Sequence, residues 1–279
     1  MRVTFWGTRG SIAAPGPSTV TYGGDTSCVA ISGGDPDHLV ILDAGSGIRR
    51  LGMAVGPEVR RIDLLLSHLH LDHIVGLGFF EPLFRTDLKV TVWAPPSTSP
   101  LWQRLGRYLS PPLFPVRVRD LGCELELKEG LDGLVERGEF TIEAAPIIHP
   151  DFAFGYRITQ GGHSLAYLPD HEPALSPSFP DEPSWTSGVD ISRDVGLLIH
   201  DGQYGPDEYD DHVGWGHSSV LHAVALAELA GAGTLALFHH DPGHDDETVA
   251  ELEDQASAFA RSVPVFAARQ GQTLELGAA

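Results

Sequence analysis

Cysteine is nearly missing from this 279-residue chain: only Cys28 and Cys123 occur, far apart in sequence. Two distant thiols build no disulfide framework, so a reducing, cytoplasmic setting is expected. Basic residues are scarce too, 18 Lys and Arg against 38 Asp and Glu, for a formal net charge of −20. A field of that sign repels nucleic acid and anionic membranes unless a local basic or metal site overrides it, which disfavours a nucleic-acid partner without excluding one. No apolar run is long enough to span a bilayer, and the opening MRVTFWGTRGS lacks the apolar stretch of a secretion signal, so no membrane association is expected. The GTRGS at 7–11 lacks the lysine and the strand–helix setting of a phosphate-binding loop. There is no serine nucleophile elbow, no repeat and no charged tail.

What is present is histidine, 14 residues in all, many of them at the ends of apolar runs. Short β-branched runs bounded by Gly, Pro or Asp predict strands near 3–5, 28–31, 39–42, 62–66, 89–93, 140–145, 156–159, 164–168, 195–199 and 234–238. Helical patterns follow His70 and cover 218–230 and 245–261. Many strands with few, late helices predict two packed sheets with helices outside them. Proline punctuates 94–116 and 172–188. The second stretch is too long for a routine connection and reads as a lid or binding loop. Strands of one style continue on both sides of these stretches, so a single domain over 1–279 is expected.

The densest chemistry lies in SHLHLDH, 67–73. An extended chain places His68 and His70 on one side, and a turn into a helix brings Asp72 and His73 round beside them. The preceding LLL would bury the first of these groups, and buried histidines need partners. Neutral imidazole and carboxylate suit a divalent metal: zinc, with manganese or iron as alternatives. Further donors end other apolar runs: His149 closes TIEAAPIIHP, Asp170 and His171 close SLAYLPDHE, and His239 and His240 close TLALFHHDP. His171, His212 and His244 read as solvated loop residues. His222 reads as a packing residue inside an Ala-rich helix, and His38 and His163 as residues of Gly/Asp turns.

SHLHLDH followed by His149, Asp170 and His239 resembles the metallo-β-lactamase superfamily, whose signature is His-x-His-x-Asp-His with a later His, Asp and His. ILDAGSGI resembles that family's early Asp motif, with Asp43 in its place, and YGGDTSC resembles the GGNTSC of superfamily phosphodiesterases. In the second half the likeness is to the ribonuclease Z-like branch. LLIHDGQY is similar to its LLIHEAT, placing His200 and Asp201 on the His–Glu pair, and GHSSVLHA is similar to its HST helix, placing His217 on that His. Asp201 stands where that branch has Glu, Gly202–Gln203 replace Ala–Thr, and a long basic tRNA-gripping insertion is missing.

The resemblance implies an α/β protein, an αβ/βα sandwich of two mixed, largely antiparallel sheets with helices on the outer faces and metals at one edge. It implies a first ion on His68, His70 and His149, a second on Asp72, His73 and His239, and Asp170 bridging them. It favours His239 over its neighbour His240, which strand alternation leaves open. Two such ions can activate one water and clamp both oxygens of an in-line displacement, with Asp72 orienting the water. His217, held by Asp201, is the candidate for protonating the leaving oxygen. The expected activity is hydrolysis of a small phosphodiester such as a cyclic nucleotide. A ribonuclease Z-like tRNA endonuclease, a lactonase or thioesterase, and a metal-bearing ligand sensor with little turnover are the alternatives. A homodimer is compatible with the sequence.

Overall fold

The computed structural model describes residues 1–131, 133–173 and 186–277. The proline-rich stretch read as a lid therefore lies mostly outside the described residues. Among the described residues fourteen strands form two seven-stranded sheets. The first sheet holds β1 (Arg2–Gly7), β2 (Cys28–Ser32), β3 (His38–Leu42), β4 (Arg61–Leu65), β5 (Lys89–Ala94) and β6 (Glu124–Glu129), with β14 (Thr273–Glu275) paired outside β1. The second runs from β7 (Val135–Arg137) through β8 (Phe140–Ile147), β9 (Ala153–Gln160), β10 (His163–Leu168), β11 (Leu197–Asp201) and β12 (Leu235–Phe238) to β13 (Val265–Ala267). Both sheets are mixed: β14-β1-β2-β3 and β10-β9-β8-β7 pair antiparallel, while β3-β4-β5-β6 and β10-β11-β12-β13 pair parallel.

Alternation along the strands explains why the sheets stack. On β3, Val40 and Leu42 face the other sheet, while Leu39 and Ile41 face outward. On β12, Ala236 and Phe238 point inward and Leu235 and Leu237 outward. A strand apolar on both faces must be covered on both. The inner layer packs Val3, Phe5, Val40 and Leu65 against Tyr156, Tyr167, Ile199 and Phe238. The outer face of the first sheet is covered by α1 (Ile48–Ala54), by the turn α2 (Leu71–Ile74) and by α3 (Leu101–Tyr108). The second is covered by α4 (Val189–Ser192), by α6 (Val220–Ala230) and by α7 (Asp246–Phe259), with the short α5 (Pro206–Tyr209) preceding α6.

The late helices carry the expected end signals. Ser219 caps α6 through the His222 N–H and Gly231 ends it with φ 69°. Asp245 caps α7 through the Thr248 N–H, with Asp246 and Glu247 in the first turn. Among the described residues no helix is long and apolar enough to cross a membrane.

One polar cluster ties the sheets together away from the histidine cluster. Asp63 on β4 is buried, and its Oδ1 accepts from Arg137 Nε of the other sheet at 2.8 Å and from Trp93 Nε1 at 3.0 Å. His38 Nε2 lies 2.8 Å from Asp63 Oδ2. His38 thus starts β3 as a buried partner, not as a residue of a turn. Burial favours the neutral acid, but the bonds from His38, Trp93 and Arg137 outweigh it and hold Asp63 below the usual carboxylate range. Stability from this group is therefore present above the unfolded carboxylate pKa and is lost as pH falls through the depressed folded value. Asp63→Ala, which leaves His38 and Arg137 without their anion, is expected to cost about 3–5 kcal/mol, read as a lower urea midpoint.

Candidate metal centre

The strand ends of both sheets meet at one edge. The loop after β4 carries His68 and leads through His70 into α2, a single turn that presents Asp72 and His73. His149 follows β8, Asp170 follows β10, Asp201 ends β11 and His239 follows β12. Two groups of donor atoms result, each with its atoms within 4.8 Å of one another: His68, His70, His149 and Asp170 in one, Asp72, His73, Asp170 and His239 in the other. Asp170 belongs to both. Its Oδ1 is 3.0 Å from His73 Nε2 and 3.3 Å from His239 Nε2, while its Oδ2 is 3.7 Å from His68 Nε2. Asp72 Oδ2 is 3.1 Å from His73 Nε2 and 3.2 Å from His239 Nε2.

Each histidine turns one ring nitrogen inward and gives the other an outer partner. His73 Nδ1 lies 2.8 Å from Asp43 Oδ2, His239 Nδ1 3.0 Å from Gln203 Oε1, and His149 Nδ1 3.1 Å from the Gly216 carbonyl. His70 Nε2 lies 2.9 Å from Asp151 Oδ2, and His68 Nδ1 3.1 Å from Ser67 Oγ. Such outer acceptors fix the tautomer and leave the inner lone pair free, the arrangement a ligating imidazole needs. Asp43 is itself locked by Ser67 N at 2.7 Å, Ser67 Oγ at 2.8 Å and Tyr167 OH at 2.9 Å.

The inner atoms fit a cation. His68 Nε2, His73 Nε2 and Asp170 Oδ1 are buried without hydrogen-bond partners. Burial pulls the His73 pKa down, yet Asp170, Asp72 and Asp43 drive it well above the usual value, so positive charge is demanded at that point. Burial, with His73 beside it, pushes His68 well below the usual histidine range, and burial likewise lowers His149. His68 and His149 thus present neutral imidazoles. A nitrogen-and-carboxylate set of this kind suits zinc, manganese or iron.

Backbone strain concentrates here. Asp43, His239 and Ser11 all have left-handed φ, 59°, 61° and 56°. Ser11 N donates to Asp72 Oδ2 at 2.9 Å, and beside it Gly10 runs so close that a Cβ there would sit 2.4 Å from His239 Nδ1. The turn at His239 also separates it from its neighbour: His240 is in neither group, and its Nε2 instead lies 2.9 Å from the Ala268 carbonyl. Burial pushes His240 down to about 3.

His217 stands between the two groups. Its ring stacks on His239 at 5.0 Å and meets His149 edge-on at 5.5 Å. Its Nδ1 is 2.7 Å from Asp201 Oδ2. Burial opposes protonation, but Asp201, with smaller help from Asp170 and Asp72, lifts His217 to about 9. Asp201, His217 and His239 also form a third close donor group.

Some histidines sit differently from their reading as solvated loop residues. His171 is buried, with Nδ1 2.8 Å from His200 Nε2 and Nε2 3.0 Å from Ser187 Oγ. His244 pairs with Glu208 at 2.9 Å, and His212 Nδ1 lies 2.7 Å from the Glu208 carbonyl. His222 packs edge-on against Tyr209, and His163 is an exposed residue at the start of β10. Gln203, Ser67 and Asp151, whose outer bonds orient the rings, carry no signal in the sequence motifs. The one hint for Asp151 is its place two residues after His149.

Residues 38–240 match the β-lactamase superfamily domain, and the chain belongs to that family. The two sheets and their flanking helices are its αβ/βα sandwich. A ribonuclease Z of Haloarcula marismortui is 25% identical over 91% of both chains. The probable metallo-hydrolase YhfI of Bacillus subtilis is 27% identical over 88% of this chain and 90% of its own. The crystal structure of that metallo-β-lactamase-fold YhfI superposes with a TM-score of 0.72, at 22% identity, over 98% of each chain. A diphosphatase of the PhnP family superposes with a TM-score of 0.68, at 20% identity, over 98% of this chain and 97% of its own.

Proposed function

We propose that this chain is a dinuclear metal-dependent hydrolase whose substrate is a small phosphodiester such as a cyclic nucleotide. His68, His70 and His149 would hold one divalent ion, Asp72, His73 and His239 the other, and Asp170 both, with zinc the expected metal. When bound, the ions supply Lewis acidity toward the phosphoryl oxygens and a water acidified toward neutrality. Asp72, whose Oδ2 is fixed by Ser11 N at 2.9 Å, orients that water. His217 carries the proton for the departing oxygen.

The observation that carries this reading is the placement of His217 between His149 and His239 with Nδ1 tied to Asp201 at 2.7 Å, which leaves Nε2 without a partner among the described residues. A lactone ring has no need of a histidine so placed. Lifted to about 9, chiefly by Asp201 against the cost of burial, His217 holds a proton at neutral pH, as a donor must. Beside His68 and His70 opens a cleft of about 220 Å³, walled by Pro96, Arg104 and Phe152.

The ribonuclease Z likeness favours precursor tRNA instead. Against it, a polyanion is held by unpaired basic groups, and part of the sparse basic surface here is already paired: Arg61 Nη2 is 2.7 Å from both Asp35 and Asp37, Arg60 pairs with Asp87, and Arg119 faces Asp120 at 3.7 Å. Metal-loaded protein is expected to carry about two ions per chain and to turn over bis(p-nitrophenyl) phosphate but not a simple lactone. Elemental analysis with parallel assays checks this. One ion or none in folded protein, or lactone turnover alone, would refute it.

A further inference from the structure

Glu172 follows Asp170 by two residues and is completely buried, yet it belongs to neither donor group. Its two oxygens are satisfied almost wholly by one short strip of chain. Oε1 accepts from Tyr209 OH at 2.7 Å and from Gly214 N at 2.8 Å, while Oε2 accepts from Gly216 N at 2.8 Å and more weakly from Gly214 N at 3.1 Å. A carboxylate taken out of water is costly unless such bonds replace its hydration. The burial of Glu172 and the shape of the 214–216 loop are therefore one arrangement.

That loop ends at the proposed proton donor. Gly214 and Gly216 both have φ 88°, which aims both N–H groups at the carboxylate, and His217 comes next in the chain. The far side of the loop has no slack. The Gly216 carbonyl receives His149 Nδ1 at 3.1 Å, and a Cβ on Gly216 would lie 2.2 Å from Pro150 Cδ and 2.4 Å from His149 Nδ1. Asp201 holds the His217 ring, while Glu172 holds the backbone from which that ring projects.

We propose that Glu172 is a positioning residue for proton donation, folding the 214–216 loop around its carboxylate so that His217 faces both donor groups. The proposal rests on the reading of His217 as the acid. Glu172→Gln replaces one acceptor oxygen with an amide NH2 that must face an N–H donor, so the loop should loosen; of the two donor groups only His149, which bonds to the Gly216 carbonyl, is tied to it.

In the full-length protein at saturating metal, where a modest loss of affinity at His149 leaves the sites filled, Glu172→Gln is expected to keep both ions and to exchange the Gly214 and Gly216 amides faster. Its kcat on a diester with an alkyl leaving group should fall by roughly 10²-fold, the cost of misplacing a reacting group by about 1 Å, with KM little changed. The loss should be several-fold smaller for a p-nitrophenyl diester, which departs without a proton. In a His217→Ala background the same substitution should add nothing. Should the amide variant not fold, Glu172→Asp, with both oxygens drawn back by a methylene, carries the same test with a smaller split. Equal losses on both substrates, no loss on either, or an additive loss on top of His217→Ala would overturn the assignment of Glu172. A His217→Ala enzyme without any leaving-group split would instead remove the acid reading on which it rests.

Discussion

His217→Ala is expected to retain both metal ions and to lose turnover by about 10²–10⁴-fold on a diester with a poor leaving group, the range general acids supply. The ring belongs to neither of the two groups assigned to the ions. It touches one histidine of each, His149 and His239, and its Nδ1 is committed to Asp201. Removing it should therefore spare metal content and cost chemistry. A p-nitrophenolate leaving group needs no proton, so the loss there should be much smaller. Asp201→Asn keeps a hydrogen-bonding partner but withdraws the charge that raises His217, and its loss should be intermediate. Steady-state kinetics on the two substrate types, with elemental analysis of the same samples, measure this. Equal losses on both would make His217 a positioning or structural residue.

Asp170→Ala is expected to weaken both metal sites together and to abolish useful turnover. Its Oδ1 faces His73 and His239, and its Oδ2 faces His68. With that carboxylate gone, His73 Nε2 keeps only Asp72 as an anionic neighbour. Two-metal clamping contributes several kcal/mol to a displacement at phosphorus, so a fall on the order of 10³-fold or more is expected. By contrast His239→Ala should disturb the second group alone, and His240→Ala, bonded to Ala268, neither. Asp43→Asn, one bond removed from the site through His73, should reduce metal affinity by roughly 10–100-fold. A folded Asp170→Ala protein with one site fully occupied would show that the carboxylate is not shared.

The strands were legible because β-branched runs are apolar on both faces when two sheets and outer helices bury them; 39–42 and 62–66 became β3 and β4. Strand β6, Glu124–Glu129, went unread because ELELKE is a half-exposed edge strand whose charges conceal its alternation. Strands β7, β13 and β14 are three residues each, too short for any periodicity. The donor residues were visible because each ends an apolar run. Choosing His239 over His240 lay beyond alternation: the left-handed φ at His239 breaks the period as the strand ends. His171 and Glu172 stayed hidden because their partners are distant in sequence, at His200 and at residues 209–216. A polar residue inside LPDHEP looks the same whether water or the chain satisfies it.

A metal-dependent hydrolase of small phosphodiesters is told from a tRNA endonuclease most directly by kcat/KM of the metal-replete protein on cyclic nucleotides and on precursor tRNA, side by side at one ionic strength. Metal-dependent opening of the small diester, abolished by chelation and by Asp170→Ala, is expected, with poor cleavage of the tRNA. Efficient 3′-processing of the precursor with no turnover of cyclic nucleotides or other small diesters would contradict it.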